Sequence, residues 1–217
     1  MPQPTSNRPS LHQLMHHRPA KRAVDFSAGA ATYDAGNKGK IADRYYRALY
    51  KVAGPALRPG MGVLDVGCGT GRLLAELERR YKICGVGVDT SAAMVQVAQA
   101  ACPDMVILEG SCGALPVADA SMDRVVACLA YHHFDDPAGF AAEARRVLKP
   151  GGRIYLSEPA IPGAIRWPIN GLFHLGGFGE RLRGPRGLVK ELQAFGLRAW
   201  VLYERGLVCV VAASAAP

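Results

Sequence analysis

Glycine stands at every second position of Gly67-Cys68-Gly69-Thr70-Gly71, directly after the apolar run Val63-Leu64-Asp65-Val66, and an acidic residue, Asp89, follows 18 residues after Gly71. A strand that stops at such a turn and passes into a helix aims backbone N–H groups into open space, where a ligand can approach the main chain closely. The third glycine narrows the ligand. A dinucleotide fingerprint needs glycine at 67, 69 and 72, but position 72 is Arg72 and the glycine falls one place earlier. No Gly-Lys-Ser/Thr end follows, so a phosphate-cradling loop is excluded as well. The carboxyl of Asp65, inside the motif, suits a ligand without phosphate that carries a cationic amino group or a sulfonium. Asp89, at the end of the second expected strand, can accept both hydroxyls of a ribose, each charge-assisted bond contributing ~1.5–3 kcal/mol. Its structural alternative is to cap the Thr90-Ser91 turn.

A second group of candidates is Tyr131-His132-His133. A histidine titrating near pH 6.5 can take a proton from a hydroxyl, an amine or an activated carbon. A purely structural role for the pair is the competing reading. If the segment is extended, neighbouring side chains point apart, which argues against a metal site. The six cysteines form no C-x-x-C pair and are expected to be reduced, mostly at strands. No metal is expected.

The elements that must hold these groups alternate. Strands are expected at Val63–Cys68, Ile83–Asp89, Met105–Glu109, Arg124–Leu129 and Arg153–Ser157, with Leu197–Tyr203 and Leu207–Ala212 joined so tightly that they must run antiparallel. Helices are expected at Ile41–Val52 (apolar stripe Ile41, Tyr45, Leu49, Val52), after Gly71 (Leu73, Leu74, Leu77, Tyr81), at Ser91–Ala101 with Ser91 as N-cap, and at Pro137–Leu148 with Asp136 as cap. A last helix is marked by Leu188, Leu192 and Phe195. Lys149-Pro150-Gly151-Gly152 reads as the end of the fourth helix. This is the pattern of an α/β doubly wound sheet.

The motifs LDVGCGTG, GVGVDTSAAM, GALPVADASMD and YHHFDDPAGFAAEARRVLKPGG, in that order, resemble a class I S-adenosylmethionine-dependent methyltransferase of the small-molecule type 11 kind, from about Tyr33 onward. The resemblance implies a Rossmann-like seven-stranded sheet, mostly parallel with an antiparallel last strand, and S-adenosyl-L-methionine as cofactor. It implies that Asp65, Gly67 and Gly69 line the methionine end, that Met94 covers the adenine, and that Cys68, Gly71, Asp89 and Thr90 complete that wall. Ser111-Cys112 replaces the Asp-Ala of many relatives, so serine would meet the adenine amino group without a charge. Cys128 and Leu129 would meet the donor by their backbone, and Tyr33 either closes over the methionine carboxylate or is a core tyrosine. Tyr131, His132 and His133 would lie near the transferred methyl group, with His132 or His133 as candidate general base.

Length of 217 residues and 49% hydrophobic content suit one methyltransferase domain over 25–217, after a flexible basic tail over 1–24. Within it, 25–55 is expected to cap the core. The segment 160–187, whose stretch Ile161–Phe178 is apolar among Pro and Gly, is expected to be an insertion that covers a substrate, with a dimer contact or a membrane-surface patch as alternatives. The net charge is +8, with basic clusters in the tail and at Arg166, Arg181, Arg183, Arg186 and Lys190. No basic and aromatic interleaving points to RNA, no apolar run spans a bilayer and no secretory leader is visible, so a cytoplasmic enzyme is expected. The expected reaction is methyl transfer to a small, apolar or aromatic metabolite by in-line displacement. Nucleic-acid methylation and a catalytically silent cofactor-binding module are the alternatives.

Overall fold

A strand of five apolar or small residues, β1 (Gly62–Val66), is buried along its whole length and forms the middle of the sheet. The computed structural model describes residues 27–34, 37–176 and 181–215. The tail over 1–24 and Phe178 lie outside them. The elements that follow one another are α1 (Asn37–Ala53), β1, α2 (Arg72–Tyr81), β2 (Cys84–Asp89), α3 (Ala92–Ala101), β3 (Val106–Glu109), β4 (Met122–Cys128), α4 (Pro137–Val147), β5 (Leu148–Pro159), α5 (Gly163–Leu175), α6 (Pro185–Ala194), β6 (Leu197–Arg205) and β7 (Val208–Ala215).

Seven strands pair in the order β3-β2-β1-β4-β5-β7-β6. The first five run parallel, and β7 is antiparallel to both β5 and β6. The mostly parallel α/β sheet with a reversed last strand is therefore as the sequence pattern predicts. Successive residues of the central strands face opposite layers: Val125 and Ala127 pack with α4 and α6 through Phe140, Ala144 and Leu188, while Val126 packs with α1, α2 and α3 through Leu49, Leu74 and Ala98. Strand order reverses direction at β1, between β2 and β4, so the carboxyl ends of these strands open a crevice where such sheets take ligands.

The caps fall where their residue types place them. Ser91 Oγ accepts the Met94 N–H (3.4 Å), and Asp136 Oδ1 accepts that of Gly139 (2.8 Å) ahead of Pro137 in the first turn of α4. Four local expectations need correction. The first is that α1 begins at Asn37 and turns Ile41 outward, half exposed, because Ala42, Tyr45, Ala48 and Leu49 form the buried stripe. The second is that Lys149-Pro150-Gly151-Gly152 lies inside β5. Leu148 pairs with Met122 across a register shift, so the strand starts as soon as α4 ends. The third is that a helix the sequence pattern did not assign, α5, occupies Gly163–Leu175, with Pro168 inside and with no buried residue. The fourth concerns the His-His segment, a single 3-10 turn over Tyr131–His133 rather than an extended strand end. All six cysteines are free, and Cys84 is exposed. No helix among the described residues is long and apolar enough to cross a membrane.

Candidate functional site

The turn after β1 is held to β2 by two bonds, as the N–H groups of Gly67 and Cys68 both donate to Val88 O (2.7 and 3.1 Å). Gly67, Gly69 and Gly71 all have positive φ, a backbone state that side chains with a Cβ rarely adopt. Their surroundings differ. A Cβ on Gly67 would lie 2.6 Å from Ala130 Cβ, and one on Gly71 3.0 Å from Cys102 Sγ, so these two glycines allow close packing. Gly69 faces open space. Its N–H donates to Asp89 Oδ2 (2.9 Å), while Asp89 Oδ1 accepts the Ser91 N–H (2.9 Å). Asp89 thus performs the turn-capping role, and each carboxylate oxygen keeps a further lone pair for a hydroxyl.

A cavity of about 320 Å³ opens beside this turn. Gly67, Cys68, Gly69 and Thr70 form its floor. Val88, Asp89, Thr90 and Met94 form one wall, with Gly110 and Cys112 beyond. Cys128, Leu129, Ala130, His133, Phe134 and Asp135 line it from the end of β4 onward, Asp135 Oδ1 meeting Cys112 Sγ (3.6 Å), and Tyr33, Ala42 and Tyr46 line it from the N-terminal segment. Of the residues singled out from the sequence, Tyr33, Gly67, Cys68, Gly69, Asp89, Thr90, Met94, Cys112, Cys128, Leu129 and His133 are brought together on this cavity. Asp65, Gly71, Ser111, Tyr131 and His132 do not border it. Gly71 instead starts α2 and packs on α3, and Ser111 bridges to Ala114.

Asp65 lies wholly buried in β1, and its Oδ1 finds no hydrogen-bond partner among the described residues. Burial, with the charge of Asp89 as a lesser contribution, pushes its carboxyl up to about 8. The cavity residues Cys68, Cys128 and Tyr46 all feel that charge. Burial also raises the thiols of Cys68 and Cys128, and that of Cys112 to about 11, so these walls are neutral and weakly polar rather than nucleophilic. Leu129 adopts φ +55, a strained state for a leucine, with its N–H fixed on Ser157 O (2.9 Å).

Tyr131 is core. Its ring is fully buried against Phe134 and Phe140, with centroids 5.5 and 5.7 Å away, and its hydroxyl donates to Glu191 (3.4 Å). Because these residues sit in a 3-10 turn, the rings of His132 and His133 lie against each other, centroids 3.9 Å apart and tilted by 42°, rather than pointing apart. Glu158, at the end of β5, organises this turn. Its Oε1 accepts the N–H groups of Ala130 (3.1 Å) and Tyr131 (3.0 Å), and its Oε2 lies 2.6 Å from His132 Nδ1. Burial, and then the neighbouring His132, lowers the His133 imidazole to about 3, so it is neutral at physiological pH. Among the described residues no group of three or more His, Cys, Asp or Glu is placed to hold a metal ion.

Sequence reasoning missed Glu158, Tyr46, Thr70 and Arg72. Thr70 Oγ1 donates to Asp34 Oδ2 (2.6 Å), and Arg72 ion-pairs with Asp43 while donating to Gly39 O (3.2 Å), so the glycine turn and α1 are tied together. The residue that breaks the dinucleotide fingerprint is the one that makes this tie. A larger, shallower groove of about 460 Å³ lies outside α1 and α2, but its Arg72, Arg79 and Arg80 are engaged by Asp43 and Glu76.

Residues 64–156 match the family model of a methyltransferase domain. The chain is 36% identical over 145 residues to a malonyl-[acyl-carrier protein] O-methyltransferase of Hahella chejuensis, covering 64% of this chain and 49% of that protein. It is 38% identical over 100 residues to a demethylmenaquinone methyltransferase of Chlorobaculum tepidum, covering 46% and 41%. The chain thus spans half or less of the length of these curated relatives. A solved structure of the Haloferax volcanii Trm112 methyltransferase activator in complex with a methyltransferase superposes with TM-score 0.73 at 22% identity, over 89% of this chain and 98% of that one, which shows a common fold. The buried carboxyl of Asp65 with an oxygen to spare, the open face of Gly69 and the lone pairs left on Asp89 fit a ligand with a cationic end and a sugar. Residues 64–156 thus match a methyltransferase domain, set in a fold shared with a solved methyltransferase complex.

Proposed function

We propose that this chain transfers the methyl group of S-adenosylmethionine to a small, apolar or aromatic acceptor. The observation that carries the reading is that Asp89, Met94, Leu129, Phe134, His133 and the turn at Gly69 line one cavity. When bound, the donor supplies an electrophilic methyl group on a sulfonium.

The residues then have divided tasks. Asp89 takes the ribose hydroxyls while keeping Gly69 and Ser91 in place. Met94 and Cys112 pack on the adenine, and the charge of Asp65, buried behind the glycine turn rather than on the cavity wall, draws the ammonium of the methionine end. Leu129 and Ala130 hold the backbone beside the acceptor, on a turn that Glu158 fixes with three contacts. Such positioning for in-line displacement can supply ~7–11 kcal/mol of a barrier. His133 faces the cavity as a neutral imidazole. A group with a pKa of about 3 accepts a hydrogen bond but is a feeble base. The acceptor is therefore one that is already nucleophilic, such as an electron-rich ring carbon or an ionised oxygen, and His133 orients it.

Tyr33, Tyr46, Ala130 and Phe134 give the acceptor end its apolar and aromatic character. The relatives named above act on a carrier-bound malonyl group and on demethylmenaquinone, which supports a non-nucleic-acid acceptor. The test is a calorimetric titration with S-adenosylhomocysteine, followed by incubation with labelled donor and separate metabolite and RNA pools. Label in the metabolite pool supports the proposal. Label in RNA alone replaces it with nucleic-acid methylation, binding without transfer leaves a silent module, and no binding removes it.

A further inference from the structure

Helix α5 is built inside out. Its two strongly polar side chains face the protein: Arg166 donates to Ile161 O (2.9 Å), and Asn170 bonds both the N–H and the carbonyl of Leu182 (2.9 Å each). Its exposed positions are Gly163, Ala164, Ile165, Trp167, Pro168, Gly171, Leu172, His174 and Leu175, of which His174 alone is polar. Trp167 is 82% exposed and Leu175 84%, with Leu172 and Ile165 not far behind. Ile165, Pro168, Leu172 and Leu175 recur at intervals of three and four, so they form one stripe along about 15 Å of helix. A stripe of large apolar side chains without charge marks a surface that meets an apolar partner.

The surroundings choose the partner. On either side of Leu182, which Asn170 grips, the chain carries exposed basic residues, Arg181 before it and Arg186 and Lys190 after it in α6. Gly184 lies against the Arg166 guanidinium, where a Cβ would be 2.1 Å from Nη1, so the start of α6 with Arg186 adjoins the first turn of α5. Arg183 is neutralised by Glu191, but nothing offsets the overall excess of +8. Two copies meeting about a two-fold axis would set these basic fringes against each other. A strip one short helix wide is also well under the ~800 Å² per partner of a stable dimer. An anionic lipid surface satisfies both features, since it takes the apolar stripe among its acyl chains, with Trp167 at the boundary, and the basic residues among its headgroups.

We propose that α5 is an in-plane docking helix that seats this face of the protein on anionic membranes. The docking does not depend on the methyl-transfer reading. It also has a bearing on the site, because Arg181 N–H donates to His132 O (3.0 Å) and so joins the docking face to the turn that carries His133.

The test is co-sedimentation of the full chain with phosphatidylcholine vesicles, with and without phosphatidylglycerol, at low and high salt. The wild type should pellet with the anionic vesicles, lose most of that binding in high salt, and shift its tryptophan emission to the blue. Leu172→Glu and Leu175→Glu should each lower partitioning roughly tenfold or more. Their thermal melts and S-adenosylhomocysteine affinity should stay at the wild-type values, because no α5 residue borders the cavity. Absence of wild-type binding to anionic vesicles, or undiminished binding by the glutamate variants, overturns the proposal. So does a reversible dimer in sedimentation velocity that Leu172→Glu abolishes while vesicles remain unbound. Vesicle binding by a chain that takes up no S-adenosylhomocysteine would strike the methyltransferase reading and leave this one standing.

Discussion

On the proposed reading, Asp65 should make donor binding a proton-releasing event. With a carboxyl held up to about 8, roughly nine in ten molecules of the ligand-free protein carry its proton at pH 7. An ammonium group placed beside it reverses that preference, because an opposite charge within ~4–6 Å favours the ionised form. Binding at pH 7 should therefore expel about 0.9 proton, and the affinity should rise nearly tenfold between pH 6 and 7 and level off above about 8. Calorimetric titrations with S-adenosylhomocysteine in buffers of different ionisation enthalpy read this number directly as a slope. Asp65→Asn keeps the shape and has no proton to lose, so its slope should be zero and its affinity lower by about tenfold or more. The ligand-free protein gives an independent check of sign. A folded pKa raised from 3.8 to about 8 means that the native state holds the extra proton between these values. Stability must then fall as pH rises through that window, by up to ~1.4 kcal/mol per unit, and be flat above it. The asparagine variant should lack this decline. A wild-type slope of zero would refute the reasoning, since it would mean that no cation meets Asp65.

Asp89→Ala should weaken S-adenosylhomocysteine binding well over tenfold by calorimetry, and Asp89→Asn should fall between, because an amide can accept from only one of the Gly69 and Ser91 N–H groups. Glu158→Gln leaves one oxygen for three donors in a buried place, which should cost ~1–3 kcal/mol and lower the melting temperature by ~2–4 °C per kcal/mol in a thermal scan. Arg72→Ala breaks a half-exposed ion pair worth about 1 kcal/mol or less, so the melt should barely move while donor affinity drops a few-fold as α1 loosens over the turn.

The parts of the site that were legible in the sequence are those encoded locally. The turn at Gly67–Gly71, the acid ending β2 and the caps at Ser91 and Asp136 all act on groups within a few residues or on the next strand, and residue type at fixed spacing reveals them. What was hidden is long-range. Glu158 reaches back 26 residues to His132, and Thr70 and Arg72 reach 36 and 29 residues to Asp34 and Asp43, with no periodicity to betray them. The His pair was misjudged in conformation because a 3-10 turn depends on the Glu158 anchor. α5 escaped notice because Pro168 and its glycines mimic a loop, and because its apolar side faces outward, against the pattern that identifies a packed helix.

The position of the tie between α1 and the glycine turn separates inheritance from individuality. Every cavity residue from Val66 to Asp135 comes from residues 64–156, the stretch that matches the methyltransferase family model, whereas Tyr33 arrives just before α1, and Ala42 and Tyr46 on α1, from outside that stretch, on a segment clipped in place by Arg72 and Thr70. On the proposed reading, the core keeps one donor while the clipped segment is exchanged for another with different side chains. Selectivity of this kind is modular: a graft of the leading helix, with Asp34 and Asp43 retained as its fasteners, would carry a new acceptor face onto an unchanged sheet.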